Sequence, residues 1–149
     1  MNKQWSLVLG LTFCLLVGFI GCKKKDPPLA ERIAKAWAAE SVRHDNTQVF
    51  TKGGGSNAVP GYSNYVLILG TDNTAKLTEF DGSNFTGVWE LQGDTRLILK
   101  NLGPEAPTGS NGVLEFTIKS IGDNQLVLSR ISPSMKTGNT VNEYTLSVR

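Results

Sequence analysis

Residues 85–99 have the residue pattern of a β-hairpin, and this pattern constrains the fold more than any other. Every second residue from Phe85 to Leu91 is apolar or Gly, and a period of two places such a set on one face of a strand. Gly93 and Asp94 favour a tight turn, because Gly tolerates positive φ and Asp hydrogen-bonds its own backbone. The stretch therefore predicts two paired strands with one apolar face.

Similar strand patterns, separated by turn residues, follow one another at intervals of roughly 8–12 residues, which is typical of sandwiches and barrels. Because no second helical pattern is present to cross over, strands joined by tight turns must be antiparallel. The predicted strands are 37–43, 64–69, 74–80, 85–92, 95–101, 112–121, 125–132 and 141–148. We predict an all-β fold, an up-and-down meander of about eight strands that closes into a barrel, since closure removes exposed edges.

A short helix is predicted before the first strand. Pro27 and Pro28 open the segment Leu29–Trp37, and Pro is favoured at the first helical position. Apolar residues recur at helical spacing from Leu29 to Trp37, which gives two to three turns with one apolar stripe. We expect this helix to cover one end of the sheet, and the following strand to turn Trp37, Ala39 and Ser41 inward.

The N-terminus has the organisation of a secretory signal peptide over residues 1–21. Lys3 precedes an uncharged apolar run, Trp5–Ile20, which is shorter than the roughly 20 apolar residues of a membrane span. An ordinary secretory signal and an uncleaved anchor helix are the alternatives to a lipoprotein signal.

The run Phe19-Ile20-Gly21-Cys22 resembles the lipobox of bacterial lipoproteins, although Phe19 replaces the usual Leu. The resemblance implies cleavage before Cys22 and diacylation of its thiol. Two acyl chains hold a protein stably to a membrane. The expected organisation is therefore a lipidated Cys with its tether at 22–28, followed by a barrel domain at 29–149. We expect the protein to be anchored in the bacterial cell envelope, in the outer membrane.

The charge balance does not indicate a nucleic-acid-binding surface. From Trp37 to the end there are nine Lys and Arg against eleven Asp and Glu, a balance of −2. A protein that binds nucleic acid by its charge needs a basic face. We therefore expect no nucleic-acid partner, and we expect the protein to be a monomer.

No residue pattern favours an enzyme, a metal site or a cofactor. Cys14 leaves with the signal peptide and Cys22 is used by the lipid, so no thiol remains for chemistry. His44 is the only histidine, and zinc needs three or four ligands. Glu79 and Glu90 are the carboxylates placed to form a glycosidase-like pair, but both fall at predicted solvent-facing positions.

Several of these features together resemble the lipocalin-like lipoproteins of Bacteroidota. They are the lipobox, the short helix ending in Trp37, the central hairpin at 85–94, and Phe116–Ile121 followed by Gln125–Leu128. The Gly-x-Trp of true lipocalins is replaced here by Lys35-Ala36-Trp37. The resemblance implies a lipocalin-like barrel and supplies no activity, since that family is largely without an assigned one.

A barrel of eight strands is either filled by side chains or holds one small ligand. If it holds one, the ligand is expected to be apolar and to touch inward-facing residues near the middle of the barrel. The residues predicted for this site are Tyr65, Phe85, Gly87, Trp89, Phe116 and Tyr144. The alternative is a structural or interaction module with a filled barrel, whose loops at 52–63 and 102–111 contact another envelope component.

Overall fold

The computed structural model describes residues 26–149, so the predicted signal peptide and the predicted lipidation site Cys22 lie outside the described residues. This part of the chain contains nine strands, one α-helix and two 3₁₀ helices. The strands are β1 Ala36–His44, β2 Thr47–Thr51, β3 Val66–Leu69, β4 Thr74–Thr78, β5 Asn84–Gln92, β6 Arg96–Gly103, β7 Leu114–Ile121, β8 Gln125–Arg130 and β9 Asn142–Val148. The helices are α1 Leu29–Ile33 and the 3₁₀ helices Pro60–Asn64 and Met135–Thr137.

The strands form one closed antiparallel barrel. Each strand from β3 to β9 pairs with its neighbour in the chain, and β9 pairs with β1 along Trp37–His44. The other edge of β1 is shared: Ala36–Ala38 pair with β3, and Ser41–His44 pair with β2. The barrel wall therefore has eight strands, and β2 lies beside it as the second strand of a hairpin with β1. The predicted fold class is confirmed.

The helix is shorter than predicted. It ends at Ile33, and β1 begins at Ala36, where pairing with Ile68 of β3 and a hydrogen bond from Arg149 N to Ala36 O draw the chain into the barrel wall. The prediction of helix up to Trp37 is wrong because strand pairing outweighs the helical pattern there. The Trp37 indole instead donates its Nε1–H to Ile33 O at 2.9 Å.

A bulge in β1 changes which residues of this strand face inward. The register with β9 shifts between Ala39 and Ser41, so Val42 is fully buried and Ser41 is only half-buried. The prediction that Ser41 points inward is therefore wrong. An extra residue of this kind shifts the alternation of all later side chains in the strand.

The two ends of the barrel differ in how they are covered. At one end, which we call the closed end, α1 lies across the barrel: Arg32 Nη2 donates to Ile121 O at 2.9 Å and Lys35 Nζ donates to Asp123 O. At the opposite end, the open end, lie the 3₁₀ helices and the loops that join β4 to β5, β6 to β7 and β8 to β9. Within residues 26–149, no helix is long and apolar enough to cross a lipid bilayer.

Candidate functional site at the open end of the barrel

The interior of the barrel is filled by apolar side chains along most of its length. A side chain that lines a water-sized cavity has some solvent-accessible surface. Nine buried residues of the interior have none. The residues with 0% exposure are Ile33, Trp37, Val42, Leu67, Leu97, Leu99, Leu126, Leu128 and Leu146. The packing is therefore that of a solid core, with no water-sized space beside these residues.

Three of the predicted ligand-binding residues lie together within this core, in the half of the barrel towards the open end. The rings of Tyr65 and Tyr144 stack with centroids 4.8 Å apart and an interplanar angle of 16°. Phe116 meets Tyr144 edge to face at 6.2 Å. All three side chains are buried, and the Tyr144 ring contacts both of the others.

The other three predicted residues do not join this aromatic group. Trp89 donates its Nε1–H to Gly70 O at 2.9 Å, in the turn between β3 and β4 at the closed end. Gly87 lies against the backbone of β6, where a Cβ would overlap the carbonyl oxygen of Lys100. Phe85 is at the open end, with Lys136 Nζ 5.6 Å from its ring centroid. A binding role for the six residues stays a prediction.

Tyr62, which the sequence placed in a loop, covers the aromatic group at the open end. The 3₁₀ helix Pro60–Asn64 carries it, and its ring lies within 6.2 Å of the rings of Tyr65 and Tyr144. Its hydroxyl forms a 2.7 Å hydrogen bond with His44 Nε2. Burial lowers the pKa of His44, although the nearby Asp45 opposes this. His44 is thus a half-buried partner of Tyr62 rather than a free surface residue.

Polar and charged side chains also point into the open end. Glu79 and Arg130 are each 8% exposed, and Asn142 is 1% exposed. The prediction that Glu79 faces solvent is wrong, because it continues the inward alternation of Ala75 and Leu77 beyond the end of β4. Arg130 likewise continues the inward set of β8. Glu90 is exposed on the outer wall, so the two glutamates do not form a carboxylate pair.

Lys136 joins the β8–β9 loop to the β4–β5 turn across the open end. Its Nζ donates to Glu79 Oε2 at 2.5 Å, to Asp81 Oδ2 at 2.8 Å and to Ser83 Oγ at 3.3 Å. Burial by itself raises the pKa of Asp81, but hydrogen bonds from Lys136 and Ser83 outweigh it and bring the pKa to about 2. Burial lowers the pKa of Lys136, and its two carboxylate partners outweigh that and raise it.

Replacing Lys136 with Met is expected to lower the free energy of unfolding by about 1.5–2 kcal/mol at neutral pH, because Glu79 loses a charged hydrogen bond in a buried position. The depressed pKa of Asp81 contributes stability above its ordinary value of 3.8 that is lost as the pH falls towards 2, so the difference from wild type should shrink in acid. Urea unfolding from about pH 2.5 to pH 8 measures this.

Lys100→Met is the matched control for the Lys136 variant. Lys100 pairs with Glu90 at 2.5 Å on the outer wall, where both side chains are at least 41% exposed. Exposed pairs of this kind contribute about 0–1 kcal/mol. Equal losses for the two variants would mean that Lys136 is an ordinary surface cation.

A surface cleft of about 340 Å³ opens beside Lys136. Phe85 and the β6–β7 loop from Pro104 to Thr108 contribute to its lining. Among residues 26–149 there is no cluster of three or more His, Cys, Asp or Glu side chains that could hold a metal ion. The open end therefore combines aromatic rings, tyrosine hydroxyls and paired charges.

No family model and no curated protein matches the sequence. Among solved structures, a lipocalin-like protein from Bacteroides uniformis is similar, with a TM-score of 0.51, 13% identity, and coverage of 79% of this chain and 99% of that chain. An uncharacterized protein from Bacteroides eggerthii gives a TM-score of 0.49 at 12% identity, over 78% of this chain and 98% of that chain. At 13% identity the first likeness shows the fold alone, and that fold is a lipocalin-like barrel.

Proposed function

We propose that this protein is a non-catalytic, lipid-anchored component of the bacterial cell envelope whose barrel serves as an interaction module. In this proposal the loops of the open end contact another protein of the envelope. The filled interior is the observation that supports it, because side chains such as Leu97, Leu128 and Leu146 leave no space for an apolar ligand. A barrel without an interior cavity binds through its outer surface and its loops.

The direction of the chain at α1 also supports this proposal. Asp26 and α1 lie at the closed end, where Arg32 bonds to the last residue of β7 and Lys35 bonds to the turn that follows. Cys22 precedes Asp26 by only four residues. A lipid on Cys22 would therefore attach the barrel by its closed end and turn the open end away from the membrane. Loops that point away from the membrane are accessible to a partner.

The open end carries exposed apolar side chains suited to such a contact. Val113 precedes β7 and Ile131 follows β8, and the hydrogen bond from Ile131 N to Glu115 O brings these two segments together. Met135 is 60% exposed, and its side chain lies against Gly109 of the β6–β7 loop. Met is favoured on surfaces that adapt to a partner, because its side chain is flexible and polarizable.

A photo-crosslinking residue placed at Met135 should capture one defined envelope protein in cells that express the full chain. The same residue at Val88, which is 41% exposed on the outer wall of β5, is the matched control and should capture none. Immunoblotting and mass spectrometry of the product measure the result. No Met135-specific product, or equal capture at both positions, would contradict the proposed contact surface.

Replacing Cys22 with Ser should release the protein from the membrane and leave its mass without acyl chains. Membrane fractionation and intact-mass measurement of the mature protein check this expectation. Lys23→Ser is the control, since it changes the tether and keeps the thiol. If Cys22→Ser leaves the protein membrane-bound with unchanged mass, the lipoprotein signal is not the anchor.

Binding of a small apolar ligand inside the barrel is the second candidate function. The interlocked rings of Tyr65, Phe116 and Tyr144 favour it, since aromatic rings are common in the walls of apolar sites. This function requires the three rings to move apart, because Tyr144 is in contact with both of the others. Saturable binding of an apolar fluorescent probe, followed by Trp emission, would favour this candidate over the interaction module.

A further inference from the structure

A cleft of about 490 Å³ opens at the closed end of the barrel, between α1 and the turn that joins β7 to β8. Two cations, Arg32 and Lys35, contribute to its lining, together with three acidic residues, Asp26, Glu31 and Asp123. The two cations are half-buried, and the three acidic residues are exposed. The cleft therefore offers charged groups of both signs, and its volume is in the range of small-molecule sites.

The two cations of the cleft are held in place by backbone carbonyl groups. Arg32 Nη2 donates to Ile121 O at 2.9 Å, and Lys35 Nζ donates to Asp123 O. Lys35 Nζ also lies 5.7 Å from the centroid of the Trp37 ring. These contacts position both charges before a ligand arrives, which lowers the entropic cost of binding it.

Most of the N–H donors on the two cations remain available. A guanidinium group has five such donors and an ammonium group has three. Among the residues that the structure describes, Arg32 and Lys35 each make one side-chain hydrogen bond, and neither has a carboxylate oxygen within 4.0 Å. In the same part of the chain, the carboxylates of Asp26, Glu31 and Asp123 have no Lys or Arg nitrogen within that distance. Opposite charges thus line one cleft without pairing with each other.

This combination of charges favours a zwitterion over a simple ion. Guanidinium and ammonium groups form strong hydrogen bonds with phosphate oxygens, and carboxylates form them with an ammonium group. A simple anion would be repelled by the three carboxylates, and a simple cation would be repelled by Arg32 and Lys35. A molecule that carries a phosphate and an ammonium group a few atoms apart can satisfy both sets of charges.

The path of the chain indicates where such a zwitterion comes from. Asp26 lines the cleft and follows Cys22 by four residues. Four residues span at most about 14 Å. With an acylated Cys22, as in the proposed function, the cleft therefore lies close to the headgroup layer of the membrane.

We propose that this cleft binds the phosphoethanolamine headgroup of a membrane phospholipid, an inference that rests on the proposed lipid anchor. Arg32 and Lys35 bind the phosphate oxygens, and the carboxylates of Glu31 and Asp123 accept hydrogen bonds from the ammonium group. The acyl chains on Cys22 attach the protein to the membrane, and the headgroup fixes the direction in which the barrel stands on it.

Isothermal titration calorimetry tests the cleft with the full-length protein in an uncharged detergent, after detergent exchange has removed bound lipid. The probe is glycerophosphoethanolamine, which is the headgroup without its acyl chains. Glycerol 3-phosphate and ethanolamine are the comparison ligands, because each carries one of the two charged groups. Glycerophosphoethanolamine should bind with one-to-one stoichiometry, and each comparison ligand at least about 10-fold more weakly. No binding of glycerophosphoethanolamine, or equal binding of either comparison ligand, would overturn the proposal.

Arg32→Gln should weaken the binding of glycerophosphoethanolamine about 10-fold or more, which is the expected effect of losing a charged hydrogen bond. Arg43→Gln is the matched control at the open end. Arg43 also donates through Nη2 to a backbone carbonyl, that of Asn46 at 2.8 Å, and its replacement should leave the affinity unchanged. Circular dichroism checks that both variants are folded, and equal effects of the two would overturn the proposal.

Asp123→Asn changes the charge of the cleft and keeps its structure, because Lys35 bonds to the backbone carbonyl of Asp123. This variant should weaken glycerophosphoethanolamine binding about 2–5-fold and tighten glycerol 3-phosphate binding by a similar factor. Asp94→Asn, in the turn between β5 and β6, is the matched control and should change neither affinity. If Asp123→Asn shifts both affinities in the same direction, the carboxylate does not bind the ammonium group and the proposal is wrong.

Phosphoethanolamine itself distinguishes a lipid headgroup from a free metabolite. Its phosphate is a monoester that takes a second negative charge, whereas the phosphate of a phospholipid is a diester with one. The carboxylates of the cleft repel the second charge, so glycerophosphoethanolamine should bind more tightly, and the reverse order would overturn the lipid assignment. The Cys22→Ser experiment tests the anchor without involving the cleft, so a failure of the anchor and a failure of the cleft are distinguishable.

Discussion

Replacing Trp37 with Ala is expected to lower the free energy of unfolding by about 3–5 kcal/mol, the range observed when a large aromatic side chain is removed from a core. Trp37 has 0% exposure and belongs to the buried apolar core, together with Ile33 of α1. The variant also loses the hydrogen bond from Trp37 Nε1 to Ile33 O, which ties α1 to β1. Urea unfolding followed by circular dichroism measures the loss.

Two control variants separate the contributions at Trp37. Trp37→Phe keeps most of the ring and removes the hydrogen bond to Ile33, so it should cost clearly less than Trp37→Ala. Val88→Ala trims a 41% exposed side chain on the outer wall and should change stability by less than about 0.5 kcal/mol. A loss below 1 kcal/mol for Trp37→Ala would mean that the closed end is loosely packed.

Replacing Gly87 with Ala is expected to lower the free energy of unfolding by about 3 kcal/mol, at the upper end of the usual cost of overpacking. A Cβ at this position would overlap the carbonyl oxygen of Lys100 and lie 3.1 Å from that of Asn101. Both atoms belong to the backbone of β6, at the bulge where the β5–β6 register shifts between Thr86 and Val88. Backbone atoms held in a barrel wall cannot move aside as a side chain does.

Gly55→Ala is the matched control for Gly87→Ala. A Cβ at Gly55 would have no atom within 4 Å, so the same substitution should be nearly neutral there. Thermal or urea unfolding of both variants gives the comparison. A tolerated Ala at Gly87 would mean that this residue borders open space, as the sequence-based prediction of a ligand site supposed.

The sequence predicts the barrel well because the strands follow one strong rule. Alternation of apolar residues, with turn residues between the segments, depends on local geometry alone and gives the correct strand class and meander. The end of α1 could not be predicted in this way. Its apolar stripe continues to Trp37, but pairing of Ala36 with Ile68, a residue distant in sequence, decides where β1 begins.

The features of the open end were harder to predict because charged side chains occupy inward positions at the ends of two strands. Glu79 follows the last residue of β4 and Arg130 is the last residue of β8, and both fall at inward positions of the alternation. Tyr62 had no such signal. It lies in a segment rich in Gly and Ser, and only its contacts with His44 and Tyr144 show its role.

The pairing of β1 with β9 has a consequence for the order of events when the barrel forms. Trp37 pairs with Val148, so the first and last strands of the barrel must meet across almost the whole length of the domain. Contacts this distant in sequence slow folding, because the chain must order a long loop before they form. Until β9 arrives, β1 and β8 each present an unpaired edge to other chains. While the barrel folds, these two edges therefore stay open to pairing with other chains until the seven residues of β9 are in place.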